Sequence, residues 1–137
     1  MNYYEEIKQE LINNEVYKKV KDYSKNRSDL STYYNVGKLL IDAQGGEKRA
    51  KYGNHLIKEY SIKLTKELGK KYSVTSLKYM RQFYLLCQKG HAVSDQLTWT
   101  HYRLLLSIDN INKVDYYVNI GINQNLSVRE LRNRINK

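Results

Sequence analysis

Residues 55–88 read HLIKEYSIKLTKELGKKYSVTSLKYMRQFYLLCQ, and this stretch decides the expected fold. Apolar residues recur at helical spacing on both sides of Gly69, which is typical of two amphipathic helices joined by a short turn. Glycine suits the position just after a helix, and Ser73 is suited to cap the next one. The stretch therefore predicts a helix-turn-helix-like unit.

The same periodicity predicts helices along the rest of the chain. The predicted spans are 3–24, 30–43, 47–69, 73–88, 98–108, 110–122 and 127–135. Asp29 or Ser31 is expected to cap the second helix, and Ser127 with Glu130 is a capping box before the last. Gly37 lies inside the second helix, where glycine costs about 1 kcal/mol relative to alanine, so another helix is expected to pack closely there.

Composition supports an all-α fold in one domain over residues 1–137, a compact bundle of about six to seven helices. The chain has no proline and only seven glycines, too few turn residues for a β-sandwich or barrel. One cysteine, Cys87, excludes a disulfide framework. Neither a long apolar run nor a signal-like N-terminus occurs, so we expect a soluble, cytoplasmic protein without a membrane partner.

The charge is strongly basic and unevenly distributed. Twenty-four basic and fourteen acidic residues give a net charge of +10, and residues 47–91 hold eleven of the basic and three of the acidic ones. Such an excess favours polyanions, nucleic acid before an anionic membrane. A lysine-rich coding background produces the same total charge, but its concentration in one third of the chain favours a functional surface.

The third and fourth predicted helices each present one outward side. At 100° per residue, the third places Gly53, Ile57, Tyr60, Leu64 and Leu68 opposite Lys51, His55, Lys58, Lys66 and Lys70. Glu59 is the main acid on this basic side, which therefore lacks the usual matching carboxylates. In the fourth helix, the inner residues are Leu77, Met80, Tyr84 and Cys87, and the outward ones are Thr75, Lys78, Tyr79, Gln82 and Lys89.

These residue types suit DNA recognition. Lysine contacts phosphate or guanine, glutamine pairs with adenine, and hydroxyls contact either backbone or base. The predicted DNA-binding residues are Lys70, Lys71, Ser73, Thr75, Ser76, Lys78, Tyr79 and Gln82. Further candidates for phosphate contacts are Lys51, Lys58, Lys66, Arg129 and Arg132. Tyr72 and Tyr79 are the tyrosines best placed to stack on a base, since they lie beside the predicted turn.

No catalytic residue, metal ligand or cofactor site is expected in this sequence. His55, His91 and His101 lack the i, i+4 spacing of a helical metal pair, and Cys87 lies among inner residues. His101, in an apolar helix, is expected to be a hydrogen-bonded core residue. The Glu-x-Lys pattern at residues 6–8 falls in a predicted helix rather than on a strand.

Four segments in order resemble the N-terminal domain of the YhcG family, over about residues 5–136. They are YYNVGKLL at 33–40, RAKYG at 49–53 leading to LKYMRQFY at 77–84, LTWTHY at 97–102 and LSVREL at 126–131. The resemblance implies a helical DNA-binding module that precedes a PD-(D/E)XK nuclease domain, which is absent from this sequence. The family usually has tryptophan where this chain has Leu126, a substitution expected within the core.

Two functions therefore remain open. One is a duplex DNA-binding module, preferring duplex to single strands, that directs a nuclease domain or partner. The other is a protein-interaction or oligomerisation module of a mobile element, in which the basic side meets an acidic protein or a second copy of the chain. Phosphate binding must weaken steeply with salt, whereas an apolar protein interface is much less sensitive.

Overall fold

The computed structural model describes residues 2–20, 25–46, 55–70, 72–88, 94, 96–108 and 110–137. Within these ranges the chain forms seven α-helices and no strand. The helices are α1 (Tyr3–Val20), α2 (Lys25–Ala43), α3 (His55–Leu68), α4 (Val74–Gln88), α5 (Trp99–Leu105), α6 (Ile111–Asn123) and α7 (Val128–Ile135). The predicted all-α bundle is confirmed.

Helices α2 and α4 approach each other closely at Gly37. A Cβ atom at this position would lie 2.2 Å from the Met80 carbonyl oxygen and 2.9 Å from Tyr84 Cβ. Only glycine permits this backbone contact, because any side chain would collide with the main chain of α4. The close packing expected from a glycine inside a helix is confirmed.

The buried side chains form two clusters, and α2 and α4 contribute to both. The first cluster contains Tyr4, Ile7, Leu11, Val36, Leu40, Ile57, Tyr60, Leu64, Tyr72, Leu77 and Met80. The second contains Leu30, Phe83, Leu86, Leu97, Tyr102, Leu105, Val114, Leu126 and Leu131. Trp99 packs against both clusters, with its ring 4.7 Å from that of Tyr33 and 5.3 Å from that of Phe83. Leu126 lies in the core, as expected.

The connection from α3 to α4 is held by α3 itself. Gly69 adopts a left-handed conformation with φ of 67°, which ends α3. The Tyr72 amide donates to Thr65 Oγ1 at 3.1 Å, and its carbonyl accepts from Ser61 Oγ at 2.6 Å. These two bonds satisfy the backbone of a connecting residue and hold the turn against α3.

The three C-terminal helices each begin at a side-chain cap. Thr98 and His101 form a reciprocal capping box at α5. Ser127 and Glu130 form another at α7, so the capping box predicted from the sequence is confirmed. The Asn110 side chain accepts from two amides at the start of α6. Caps matter most for short helices, since isolated helices of this length are marginal in water.

Some predicted boundaries were wrong. Helix α2 begins at Lys25, five residues before the predicted start at residue 30. Residues 25–29 are polar, but they include neither glycine nor proline, so nothing in them interrupts a helix. Asp29 therefore lies inside α2, where it accepts a hydrogen bond from Asn14 Nδ2 at 2.9 Å. The predicted helical residues 21–24 and 47–54 lie outside the described part of the chain. Of the helices described, none combines the length and apolarity needed to cross a membrane.

Candidate nucleic-acid interface

Helix α3 turns the predicted side towards solvent. Ile57, Tyr60 and Leu64 are buried, while His55, Lys58 and Lys66 are exposed, so this part of the prediction is confirmed. Ile62 also lies on the exposed side, one turn from each lysine, with 71% of its surface accessible. Lys51 and Gly53 lie outside the described residues. The outer side of α3 is thus cationic with an apolar residue at its centre.

Two ion pairs join α1 to α3 and to the residue that follows its C-terminal glycine. Glu67 Oε1 accepts from the Tyr4 hydroxyl and Oε2 pairs with Lys8 Nζ, each at 2.5 Å. The bond from Lys8, followed by that from Tyr4, holds the pKa of Glu67 below its ordinary value. Lys70, predicted to contact DNA, pairs with Glu15 at 3.0 Å. The partners lie on α1, distant in sequence, so the helical pattern of α3 could not reveal them.

Helix α4 has only a narrow exposed strip. Leu77, Met80, Phe83 and Leu86 are buried, whereas Tyr84 and Cys87 are half-buried at the edge of the predicted inner side. Thr75 and Gln82 are exposed and Lys78 is half-buried. Their spacing of three and four residues aligns all three along one side of the helix. The outward strip predicted from the sequence is therefore present at these positions, whereas Lys89 lies outside the described residues.

The two serines near the start of α4 serve the helix itself. Ser73 Oγ accepts from the Ser76 amide at 3.0 Å and lies 3.0 Å from Ser76 Oγ. Ser73 is therefore a cap, as expected, and both hydroxyls already have a protein partner. Lys71, predicted to bind phosphate beside them, lies outside the described residues.

The two tyrosines proposed for base stacking have different environments. Tyr72 is only 7% exposed and packs in the first cluster, so its proposed stacking role was wrong. Tyr79 is half-buried, with the Arg103 guanidinium over its ring, 4.9 Å from the centroid. This cation–π contact brings a cation from α5 to α4, although nothing in the spacing of the two residues indicated it.

Arg129 and Arg132 are both exposed, but they do not adjoin α3. They lie on α7, whose buried Leu131 belongs to the second cluster, and α7 packs against α5 and α6. Helix α3 packs against α1 and α4 around the first cluster. The predicted phosphate contacts therefore form two separate groups rather than one surface.

Comparison with known protein families identifies the family of this chain. The DUF1016 N-terminal domain family matches residues 6–137. The chain belongs to this family. It is also 41% identical over 59 residues to the Escherichia coli (strain K12) protein described as "Putative nuclease YhcG". That match covers 42% of this chain and 16% of the relative, so it spans a small part of the longer protein. No solved structure matches the chain. The predicted YhcG-family relationship is confirmed.

Two titratable side chains among the described residues of this DUF1016 N-terminal domain, Cys87 and His101, are buried or half-buried. Burial raises the pKa of the Cys87 thiol to about 11, which keeps it protonated at neutral pH. His101 is 7% exposed, its Nε2 lies 2.9 Å from the Leu126 carbonyl oxygen, and its Nδ1 lies 3.1 Å from the Thr98 amide. The expected core role of His101 is confirmed. Among the described residues, no group of three or more His, Cys, Asp or Glu side chains could hold a metal.

Proposed function

We propose that this domain is a duplex DNA-binding module of a YhcG-like nuclease system in the cytoplasm. In this proposal, α3 and α4 form the helix-turn-helix-like unit. Thr75 and Gln82 face the groove, and Lys58, Lys66 and Lys78 contact phosphates. The domain contributes no catalytic residue, and cleavage belongs to a nuclease domain or partner.

The exposed strip of α4 is the observation that carries the proposal. Helix α4 contributes buried side chains to both clusters, so packed helices support whatever the strip binds. The strip carries a hydroxyl, an ammonium and an amide on Thr75, Lys78 and Gln82, which extend from the first turn to just past the middle of the helix. These groups match the hydrogen-bonding edges and phosphates of the major groove. Helix α3 packs against α4 and adds exposed lysines.

The N-terminus of α4 should contribute less to phosphate binding than a helix terminus whose amides have no protein partner. The positive end of its dipole favours an anion. However, the Ser76 amide already donates to Ser73 Oγ, and Lys70 already pairs with Glu15. Phosphate binding by Lys70 therefore requires exchange of one anionic partner for another, which limits its contribution to affinity.

A paired substitution tests this interface. Lys78→Glu with Gln82→Ala should weaken duplex binding by roughly tenfold to a hundredfold, because it removes one phosphate contact, adds repulsion and deletes one base contact. Fluorescence anisotropy of a labelled duplex at several salt concentrations measures the loss. A plot of the logarithm of affinity against the logarithm of salt concentration should also have a less negative slope. The slope should change by about 0.9 for each phosphate contact removed.

The matched control is Lys38→Glu with Gln9→Ala. Lys38 and Gln9 are exposed on α2 and α1, so this variant has the same change in charge away from α3 and α4. It should retain most of the duplex affinity and expose any effect of net charge alone. Equal losses in the two variants would refute a localised interface, and wild-type binding by the Lys78/Gln82 variant would refute the assignment to α4.

Ile62 favours the second candidate, a protein-interaction module. An apolar side chain that is 71% exposed between two lysines suits an acidic protein surface with an apolar centre. Ile62→Asp should then abolish partner binding or self-association, followed by sedimentation, while duplex affinity changes only modestly. Binding that is insensitive to salt would favour this candidate over DNA.

A further inference from the structure

Helix α6 presents an uncharged polar stripe to solvent. Asn112, Tyr116, Asn119 and Asn123 are all exposed, and their spacing of four, three and four residues places them on one side of the helix. The opposite side contains buried Val114 and Gly121. In a chain with 28% charged residues, a solvent-facing stripe of three amides and one ring differs from the lysine-rich side of α3.

Tyr116 is held in place although it is exposed. Its side chain is 57% accessible, and its ring lies 5.2 Å from that of Tyr117 at an interplanar angle of 72°. Tyr117 in turn packs against the second cluster. Contact with an anchored neighbour reduces the conformational freedom that Tyr116 would lose on binding a ligand. An exposed ring of this kind is a ready platform for stacking.

Cations lie at both ends of the stripe and on the neighbouring helix. Lys113 is exposed beside Asn112 at one end. At the other end, Arg134 Nη2 donates to Gln124 Oε1 at 2.8 Å, which places a guanidinium one residue beyond Asn123. Arg129 and Arg132 are exposed on α7, which packs against α6.

The exposed acid of α7 is occupied by the helix itself. Glu130 Oε1 accepts from the Ser127 amide at 3.0 Å as part of the capping box. This bond holds the pKa of Glu130 below its ordinary value. The carboxylate therefore remains charged at neutral pH. Together with half-buried Asp115 on α6, it gives two acids against four exposed cations, Lys113, Arg129, Arg132 and Arg134.

We infer that the α6–α7 surface binds a single strand of nucleic acid. An unpaired base can stack on Tyr116, asparagine amides can donate to and accept from base edges, and the cations can contact the phosphates. From Asn112 to Asn123 the stripe is about 16 Å long, which accommodates a few nucleotides. A wholly polar stripe bordered by cations fits a polyanion with exposed bases better than an apolar protein surface.

This surface is independent of the interface proposed on α3 and α4. It lies on α6 and α7, and among the described residues of these helices Tyr116 is the one exposed large hydrophobic side chain. A domain with both surfaces suits DNA in which duplex and single strands meet. The two assignments require different probes, so either can fail alone.

The test uses a fluorescein-labelled, 20-nucleotide oligothymidylate near physiological salt. Tyr116→Ala should weaken its binding about tenfold, because stacking on one aromatic ring contributes about 1–3 kcal/mol per base. Tyr116→Phe keeps the ring and should stay within about twofold of the wild type. Circular dichroism checks that both variants remain folded, as expected for an exposed side chain.

Two controls separate this surface from the other. Ile62→Ala removes the exposed large hydrophobic side chain of α3 and should leave oligothymidylate binding unchanged. Lys78→Glu with Gln82→Ala should reduce duplex binding while oligothymidylate binding persists. The inference is overturned if the wild type does not bind the single strand, if Tyr116→Ala binds like the wild type, or if Tyr116→Phe loses as much affinity as Tyr116→Ala.

Discussion

The helices around the first cluster are long and linked to one another, whereas those that complete the second cluster are short and individually capped. Helices α1 to α4 have 14 to 19 residues, and side chains such as Lys8 and Glu67 join different helices. Helices α5 to α7 have 7, 13 and 8 residues, and each begins at a capping side chain. Side-chain caps thus begin all three helices that complete the second region, whereas in the first region Ser73 caps α4 and ion pairs join different helices.

The same difference extends to the surfaces. The first region exposes lysines on α3, but carboxylates of α1 and α3 engage part of its positive charge. The second exposes amides, one tyrosine and arginines on α6 and α7. A net charge of +10 therefore does not describe one uniform polyanion-binding surface. It divides into two regions with different chemistry.

Gly37→Ala should break both regions at once, because α2 and α4 contribute to both clusters. The new Cβ would lie 2.2 Å from a backbone oxygen of α4, so the helices must separate. We expect a loss of about 3 kcal/mol despite the better helix propensity of alanine, and a decrease in Tm on the order of 10 °C. Thermal unfolding followed by circular dichroism measures it.

Gly121→Ala is the matched control for that substitution. Its Cβ would lie 3.3 Å from Leu97 Cδ2, the end of a side chain that can move. The change in Tm should therefore be small, since helix propensity offsets the contact. A Gly37→Ala protein as stable as the wild type would contradict the close approach of α2 and α4.

His101→Ala should affect mainly the second region. It leaves the Leu126 carbonyl without its histidine partner, removes the acceptor of the Thr98 amide and opens a cavity, which together cost about 2–3 kcal/mol. Amide hydrogen exchange should accelerate in α5 to α7 more than in α1 and α3. Ser127→Ala, which removes only a cap, should cost about 1 kcal/mol. Uniform acceleration throughout the chain would show that the two regions do not open separately.

Glu67→Gln should produce the smallest change in stability. The substituted side chain lies at the surface of the first region, and the change should depend on pH. The folded-state pKa of Glu67 is lowered from 4.5, so its stabilising contribution is complete above that value and disappears as pH falls through the lowered pKa. Lys8 has a raised pKa, so its contribution persists up to its ordinary value of 10.5 and is lost as pH rises through the raised pKa.

Tm measured from pH 3 to pH 8 tests this dependence. The difference between wild type and Glu67→Gln should be greatest near neutrality and should diminish towards pH 3. Added salt should reduce it, because both groups are exposed. Glu59→Gln, an exposed carboxylate of the same helix, is the control. A difference that does not vary with pH would exclude the ion pair as its cause.

Much of the fold was predictable because its determinants are local. Apolar spacing identified the helices, Gly37 indicated a close helix contact, and Ser127 with Glu130 marked the start of α7. The outward residues Thr75 and Gln82 followed from the same spacing. The stripe on α6 was also visible as a 4–3–4 repeat, but only burial of the opposite side identifies it as a surface.

Local sequence was sufficient to identify the described helices, the caps at Ser73 and Ser127 and the family, because these depend on residues within a few positions or on a pattern along the chain. Only the tertiary structure decided that Glu67 accepts from Tyr4 and Lys8, that Arg103 lies over Tyr79, and that Tyr72 is buried. The Tyr4 hydrogen bond, the Lys8 ion pair and the cation–π contact join residues 24 to 63 positions apart, and their partners become neighbours only when the helices pack. Helical periodicity describes one helix at a time and contains no information about which other helix will cover it.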